Sequence, residues 1–492
     1  MTAAGRRDAL VLLFFACVFF TLASGRISSY DAGQQLRVSL MLALTGSMSA
    51  APGPATASWV QASGGRMYQA HDIGNVILML PAAWIGARLS NAPVSTMVVE
   101  PPVASRVGVS LTYAGLAALA CLWLFRLFLL YSDLTTAFAL SVAFPATTIF
   151  LAYARAAWDV LGACCLMCGV LYYSAALLRG IHANRSAVLL ASTVACACSF
   201  RFSLLPFVVP AALAVVLRAR RWIDVRTVAS TVVTFAILIL PSLWYNLIRT
   251  GSPLRPATAS AQYLAGPNAL TGSMPHGLYG LFLSPNRGLF LFSPVLLILF
   301  ALPFVWRRLK AEQRLLLVAY GAGSAGYVLL ISKILNWGAF GWGPRYLVPV
   351  LPVFFAAAAL AFIHAGRRAR LAMAPLAVVS AVLTFPTAVV NWHLATSSFA
   401  EAANPDASRP YQQYAAWKAL AVGLRGEGLP VPADVAGDPV RSTTADFPDL
   451  LLARIARVSR AASAAAFLFL TSAIVTACAC ATLLLNGARG RI

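Results

Sequence analysis

The chain has 492 residues, 60% of them hydrophobic and only 11% charged, with a formal net charge of +22, and its mean hydropathy is +0.78. These values exclude an ordinary soluble domain and place the chain among polytopic membrane proteins. They also exclude a nucleic-acid binder, because the arginines stand at the ends of apolar runs and not along one polar face.

A hydrocarbon core of about 30 Å takes roughly 20 apolar residues per helix, and on that rule the apolar runs predict an all-α fold of about twelve transmembrane helices. In chain order they lie near 8–25, 104–130, 135–152, 158–178, 186–199, 202–217, 227–247, 289–305, 315–332, 346–363, 372–391 and 461–485. The first run, preceded by Arg6 and Arg7 and ending LASG, reads as a retained signal anchor, with a cleaved signal peptide as the alternative. Residues 26–103 form a long polar stretch: Thr45–Gly65 is rich in Gly, Ala and Ser, and Ile73–Leu89, interrupted by Pro81, is short for a span and is expected at the interface. Arg249–Arg287 is a second polar stretch. Trp392–Arg460 is a third, and holds seven of the fifteen acids (Glu401, Asp406, Glu427, Asp434, Asp438, Asp446 and Asp449).

Basic clusters such as Arg218-Arg220-Arg221, Arg307-Arg308-Lys310 and Arg367-Arg368-Arg370 fall in short loops on one side, and the positive-inside rule makes that side cytoplasmic, with both termini. Arg454, Arg457 and Arg460 fall on the other side. DLLLARIARVSR is therefore expected as an interfacial amphipathic helix, an error of one span being the alternative. The nine cysteines, among them Cys164, Cys165 and Cys168, lie in apolar runs and read as small packing residues. The organisation expected is a transmembrane module over 1–391, an outer loop with its interfacial helix over 392–460, and a last span with a cytoplasmic tail over 461–492.

The first 400 residues hold eight carboxylates, and this topology puts Asp31, Asp72, Glu100 and Asp159 outside and Asp8, Asp133, Asp224 and Glu312 inside. A chain this poor in acids has few candidate bases. Asp31 follows the first span directly. Asp159 opens a later one, where a carboxylate is costly unless paired, and Arg155 four residues earlier predicts a helical i, i+4 ion pair. Arg345, entering a span from outside, offers the planar fork that suits a phosphate, with Arg201, Arg287 and Lys333 as further phosphate candidates. His71 and Asp72 are candidates to orient an acceptor. One His and one Asp fall short of the roughly four ligands of a closed zinc site, so no metal or other cofactor is expected, a divalent ion being the alternative. Trp337 and Tyr346 are candidates to stack on a sugar, against the alternative of interfacial belt residues. No glycine-rich loop adjoins a strand–helix pattern, which argues against a nucleotide site of the soluble kind.

Five segments in order, SSYDAGQQLRVSL, GRMYQAHDIGNVILMLP, YARAAWDVLGACC, GLYGLFLSPNRGLFLFSP (277–294) and WGAFGWGPRYLVPVLP (337–352), resemble the integral-membrane glycosyltransferases of the GT-C fold. The resemblance covers about residues 8–365. It is to the bacterial, family 39-like branch related to protein O-mannosyltransferases and the lipid A aminoarabinose transferase. It implies a sugar moved from a polyprenyl-phosphate donor to a hydroxyl of a glycan, lipid or protein, at the outer face of a bacterial inner membrane. It also implies Asp31 as the base, Asp159 as the second acid of the site and Arg345 on the phosphate. Relatives usually carry Asp-Glu where this chain has Asp31-Ala32, a departure that removes one carboxylate and weakens a metal role. A single displacement would invert the anomeric centre. The alternatives are a transporter or flippase of a lipid-linked saccharide and an inactive scaffold.

Overall fold

The computed structural model describes residues 2–27, 29–50, 59–62, 64–155, 157–259, 269–338, 341–397, 402, 404–427 and 447–489. Its principal helices are α1 (Ala3–Leu22), α2 (Tyr30–Thr45), α3 (Ile73–Arg88), α4 (Val103–Leu129), α5 (Leu134–Thr147), α6 (Phe150–Ala154), α7 (Asp159–Leu178), α8 (Ala183–Phe200), α9 (Leu205–Ala219), α10 (Val225–Thr250), α11 (Met274–Leu283), α12 (Ala311–Ser332), α13 (Leu351–His364), α14 (Arg367–Thr384), α15 (Tyr411–Leu424), α16 (Leu451–Ala456) and α17 (Arg460–Arg489). One small antiparallel sheet sits between α2 and α3. Its strands β1 (Ser49–Ala50), β2 (Trp59–Gln61) and β3 (Met67–Gln69) lie in the order β1-β3-β2, with Tyr68 opposite both Ser49 and Val60.

The chain is an all-α multi-pass membrane protein. Among the described residues nine helical segments are long and apolar enough to cross a bilayer: Val103–Leu129, Asp159–Leu178, Ala183–Phe200, Phe202–Trp222, Val225–Thr250, Ala311–Ser332, Arg345–His364, Arg367–Val389 and Arg460–Asn486. The count differs from twelve for local reasons. Arg6, Arg7 and Asp8 lie inside α1 and shorten its uncharged run. The run at 135–152 divides into α5 and α6, because Pro145 precedes an extended Thr148. The run at 289–305 becomes a short helix, a 3-10 stretch (Pro294–Ala301) and another short helix, punctuated by Pro294 and Pro303.

Close packing in a bilayer rests on small residues that let backbones approach. In α4, Ala114, Ala117, Ala118 and Ala120 are all buried, as are Gly162, Ala163, Cys164 and Cys165 in α7. Alternation of direction brings functional ends together. Gly25, just after α1, donates its N–H to Ser110 near the start of α4, while Asp8 at the start of α1 meets Arg126 at the end of α4 at 2.9 Å. The ends carrying Asn184 and Asp224 also meet, as do those carrying Arg308 and His364. Most basic clusters therefore share the end opposite Asp31.

Two expectations about the polar stretches change. Over 449–460 the expected interfacial helix is limited to Leu451–Ala456 before Arg460 opens α17, and two of its arginines are tied down: Arg454 donates to Ser24 O and pairs with Asp449, and Arg457 donates to Phe447 O. The first polar stretch is largely structured, since α2 and α3 pack on each other and α3 also packs on α4. At Gly74 a Cβ would lie 2.6 Å from Phe200 N and from Ser199 C, so only glycine lets α3 press against the end of α8.

Candidate active site

Asp31, His71, Asp159, Arg201 and Arg345, five residues spread over 315 positions of sequence, converge at one end of the bundle. Asp31 stands in the first turn of α2, whose start is fixed by Ser29 accepting from Ala32 N. Asp159 opens α7, and Arg201 closes α8 just before α9. Arg345 begins the 3-10 turn that leads into α13. His71 occupies the connection between β3 and α3.

The imidazole of His71, 4% exposed, lies between two carboxylates: Nε2 is 3.3 Å from Asp31 Oδ1, and Nδ1 is 3.9 Å from Asp159 Oδ2. Arg201 Nη1 donates to Asp159 Oδ2 at 2.8 Å, and Arg345 Nη1 to Asp31 Oδ2 at 3.5 Å. The two guanidiniums share one aromatic neighbour: their Cζ atoms lie 5.3 and 5.2 Å from the Tyr346 ring, and Arg345 also covers Trp158 at 4.5 Å. Burial alone would favour neutral His71. The Asp31 charge and hydrogen bond, with Asp159 behind them, outweigh burial, so the imidazole holds its proton above its ordinary range.

Local pairing explains why Asp31 and His71 face each other. Gln35 lies one turn beyond Asp31, Asn75 one turn beyond His71, and Asn75 Nδ2 donates to Gln35 Oε1 at 2.5 Å in a fully buried contact. Asn75 also reaches Ala157 O, which ties the two turns to the start of α7. Behind them the buried Arg249 donates from one nitrogen to Gln69 O, Ala70 O and His71 O at 2.8–3.0 Å, which fixes the backbone that presents His71. Gln35, Asn75 and Arg249 escape sequence reasoning. The i, i+4 spacings of Asp31 with Gln35 and His71 with Asn75 are the one signal that was present.

Asp72 turns away from His71. Its Oδ2 accepts from Phe202 N at 2.8 Å and its Oδ1 is 3.9 Å from Arg249. Burial pushes its carboxyl up, against the pull of Arg249 and the Phe202 N–H.

The expected Arg155–Asp159 pair does not form. The helix breaks between them, with Ala157 at φ 52° and Trp158 extended, so the two side chains leave in different directions. Arg155 instead donates to Leu22 O, Thr387 O and Val390 O and pairs with Asp449, joining the end of α1 to the C-terminal third. Arg287, 1% exposed, donates to Gly338 O at 2.5 Å and so holds the loop that leads to Arg345. Burial pushes its guanidinium down to about 10. Trp337 is buried against Gly280 and stands 6.1 Å from the His276 ring, in the same supporting layer. The half-buried Lys333 ends α12, and its carbonyl accepts from Gly272 N. None of these four is among the residues that pair with Asp31, His71 or Asp159 in the contacts described.

The loop carrying Arg345 is also clamped from the C-terminal third. Gln412 accepts from Gly343 N at 2.9 Å and donates to Gly341 O at 2.8 Å, while its own N–H donates to Asn286. Gly343 has φ +59°, which favours glycine in the turn before Pro344 and Arg345.

A cavity of about 610 Å³ opens from the cluster. His71, Asp72, Arg201 and Tyr346 line its polar end, while Leu205, Val209 and Pro210 of α9 and Leu330 and Ile331 of α12 form apolar walls. Its size is that of a ligand site, and its two ends suit an amphiphile. Among the described residues no three His, Cys, Asp or Glu groups are arranged to hold a metal ion.

No protein-family model matches the chain, and no curated protein matches it. Among solved structures, the crystal structure of ArnT from Cupriavidus metallidurans bound to undecaprenyl phosphate is similar at 15% sequence identity, with a TM-score of 0.47, over 100% of this chain and 79% of that one.

Proposed function

We propose that this protein is a GT-C-type membrane glycosyltransferase, moving a sugar from a polyprenyl-phosphate donor to a hydroxyl of a glycan, lipid or protein with inversion at the anomeric carbon. The observation that carries the reading is the union of a carboxylate–imidazole–diarginine cluster with a cavity whose walls become apolar between two membrane helices. Such a site suits a charged head on a hydrocarbon chain.

In this reading the prenyl chain lies between α9 and α12, and Arg201 and Arg345 face the phosphate. The acceptor hydroxyl approaches Asp31. Its proton passes to the carboxylate as its oxygen bonds the anomeric carbon, and the bond from that carbon to the phosphate oxygen breaks with its electron pair leaving on the lipid phosphate. The arginines offset the negative charge that grows there. Asp159 holds Arg201 in place. Arginine clusters at the opposite end of the bundle favour a site on the outer face of a bacterial inner membrane. Translocation of a lipid-linked saccharide is less well supported, because the ionisable groups of the cluster gather at one end and do not line a path through the bundle.

The experiment is incubation of purified protein in nanodiscs with a panel of radiolabelled polyprenyl-phosphate hexoses and pentoses and a membrane-lipid extract as acceptor. Transfer of label from one donor is expected. Label remaining on every donor, with the protein monodisperse, would remove the reading.

A further inference from the structure

The arrangement of His71 asks for an explanation that Asp31 as base does not give. An imidazole that is 4% exposed is placed with one nitrogen toward each of two carboxylates on different helices, Nε2 at 3.3 Å from Asp31 and Nδ1 at 3.9 Å from Asp159. Its position is maintained by three separate devices: Gln69 Oε1 accepts from its backbone N–H at 2.7 Å, Arg249 holds its carbonyl, and Asn75 locks the following turn to Gln35. A side chain that only filled space would need none of this orientation.

We propose that His71 takes up, through Asp31, the proton that the acceptor hydroxyl loses, and holds it inside the site until the lipid phosphate departs. The proposal rests on the glycosyltransfer reading and adds a second proton site to it. The step runs from the neutral imidazole, the form present above the His71 midpoint, with Nδ1–H toward Asp159 and Nε2 open to the proton that Asp31 passes on. The hydroxyl proton reaches an Asp31 oxygen as the glycosidic bond forms, and then passes to Nε2. Asp31 is again a carboxylate and His71 an imidazolium between two anions.

Charge balance gives the step its purpose. Asp31 and Asp159 cancel Arg345 and Arg201, so the cluster is neutral with neutral His71 and carries one positive charge with the imidazolium. The donor is a phosphodiester with one negative charge. The departing monoester carries about 1.5 to 2, so the imidazolium appears as the leaving group gains its extra charge. The charged groups around His71 pull in opposite directions, Asp31 and Asp159 favouring the proton and Arg345 opposing it, and the carboxylates prevail. Asp72 and Arg249 sit behind the backbone, 3.9 Å from each other, and Arg201 faces Asp159.

Nitrogen-15 NMR of histidine-labelled full-length protein in nanodiscs, with His71→Gln to assign the signal among the five histidines, tests the arrangement without turnover. His71 is expected to titrate above the ordinary imidazole range, with the Nδ1–H tautomer in the neutral form and a midpoint that falls in Asp31→Asn. An Nε2–H tautomer, or a midpoint indifferent to Asp31→Asn, would overturn the proposal.

Turnover supplies the second arm. With whichever donor the wild type uses, its rate should rise as pH passes up through an inflection at or above the NMR midpoint, because only neutral His71 accepts a proton. His71→Gln and His71→Asn should lose that inflection and about 10²-fold in rate, the low end of proton-transfer assistance, while still binding undecaprenyl phosphate. Variants that keep the inflection and the wild-type rate would overturn the proposal and leave glycosyltransfer standing. No turnover of any donor by the wild type would instead refute glycosyltransfer, and this proposal with it.

Discussion

Removing Arg201 without its partner should destabilise the protein more than removing both charges together. Arg201 Nη1 stands 2.8 Å from Asp159 Oδ2, with side-chain exposures of 10% and 6%. At that contact the charge centres are about 4 Å apart, worth about 4 kcal/mol at an effective dielectric near 20. Arg201→Met leaves the Asp159 carboxylate buried, still 3.9 Å from His71 but without its guanidinium, and breaking a buried pair this way costs about 3–5 kcal/mol. In the double variant Asp159→Asn with Arg201→Met, neither charge remains to be desolvated, so the loss should be smaller than the sum of the single losses by about 2–4 kcal/mol. Reversible unfolding by SDS in mixed micelles, read by circular dichroism, gives the four free energies of the cycle. Additivity within about 0.5 kcal/mol would mean that the two groups do not interact, and the reasoning that makes Asp159 the anchor of Arg201 would fail.

Arg345→Lys keeps the charge but loses the planar fork, so it should retain partial binding of undecaprenyl phosphate. Arg345→Ala should lose about 2–5 kcal/mol of binding, and calorimetry showing unchanged affinity in Arg345→Ala would assign the phosphate elsewhere. Gly74→Ala puts a methyl 2.6 Å from the Phe200 and Ser199 backbone, so it should lower the thermal unfolding temperature and slow turnover together. Full stability with full activity would mean that α3 is free to shift. For topology, cysteines placed in a cysteine-free background at the exposed Arg220 and Arg409 should differ: only the second should label with an impermeant thiol reagent in intact cells, and the reverse pattern would turn the site toward the cytoplasm.

What was readable in the sequence, and what was not, follows from where each signal resides. Asp31, Asp159, Arg201 and Arg345 stand out because ionisable residues are rare in this chain and each sits at the edge of an apolar run, and the fold does bring the four together. His71 was visible only as a weak His-Asp pair, since its meaning depends on two carboxylates from other helices. The four-residue spacing of Arg155 and Asp159 implies a pair only on a continuous helix, and Ala157 interrupts it with a positive φ that the sequence does not announce. Arg287 and Trp337 carry motif-like surroundings, and only tertiary contacts reveal that Arg287 donates to Gly338 O in the loop before Arg345 and that Trp337 packs on Gly280. Arg249, Asn286 and Gln412 act on backbone groups remote in sequence, and nothing local announces them. The described residues give nine segments long and apolar enough to cross a bilayer where twelve apolar runs are expected, because proline and charge interrupt runs that composition alone joins. Parts of the three polar stretches, residues 51–58, 260–268 and 428–446 with Asp434, Asp438 and Asp446, lie outside the described residues.

The central claim is that Asp31 receives the acceptor proton in a glycosyl transfer, and Asp31→Asn tests it most directly. Asparagine keeps the shape of the side chain and accepts no proton in that role, so the rate of transfer from the wild-type donor should fall by about 10²–10⁴-fold, with the affinity for undecaprenyl phosphate within a few-fold of wild type. An Asp31→Asn protein that transfers sugar within a few-fold of the wild-type rate would contradict the account.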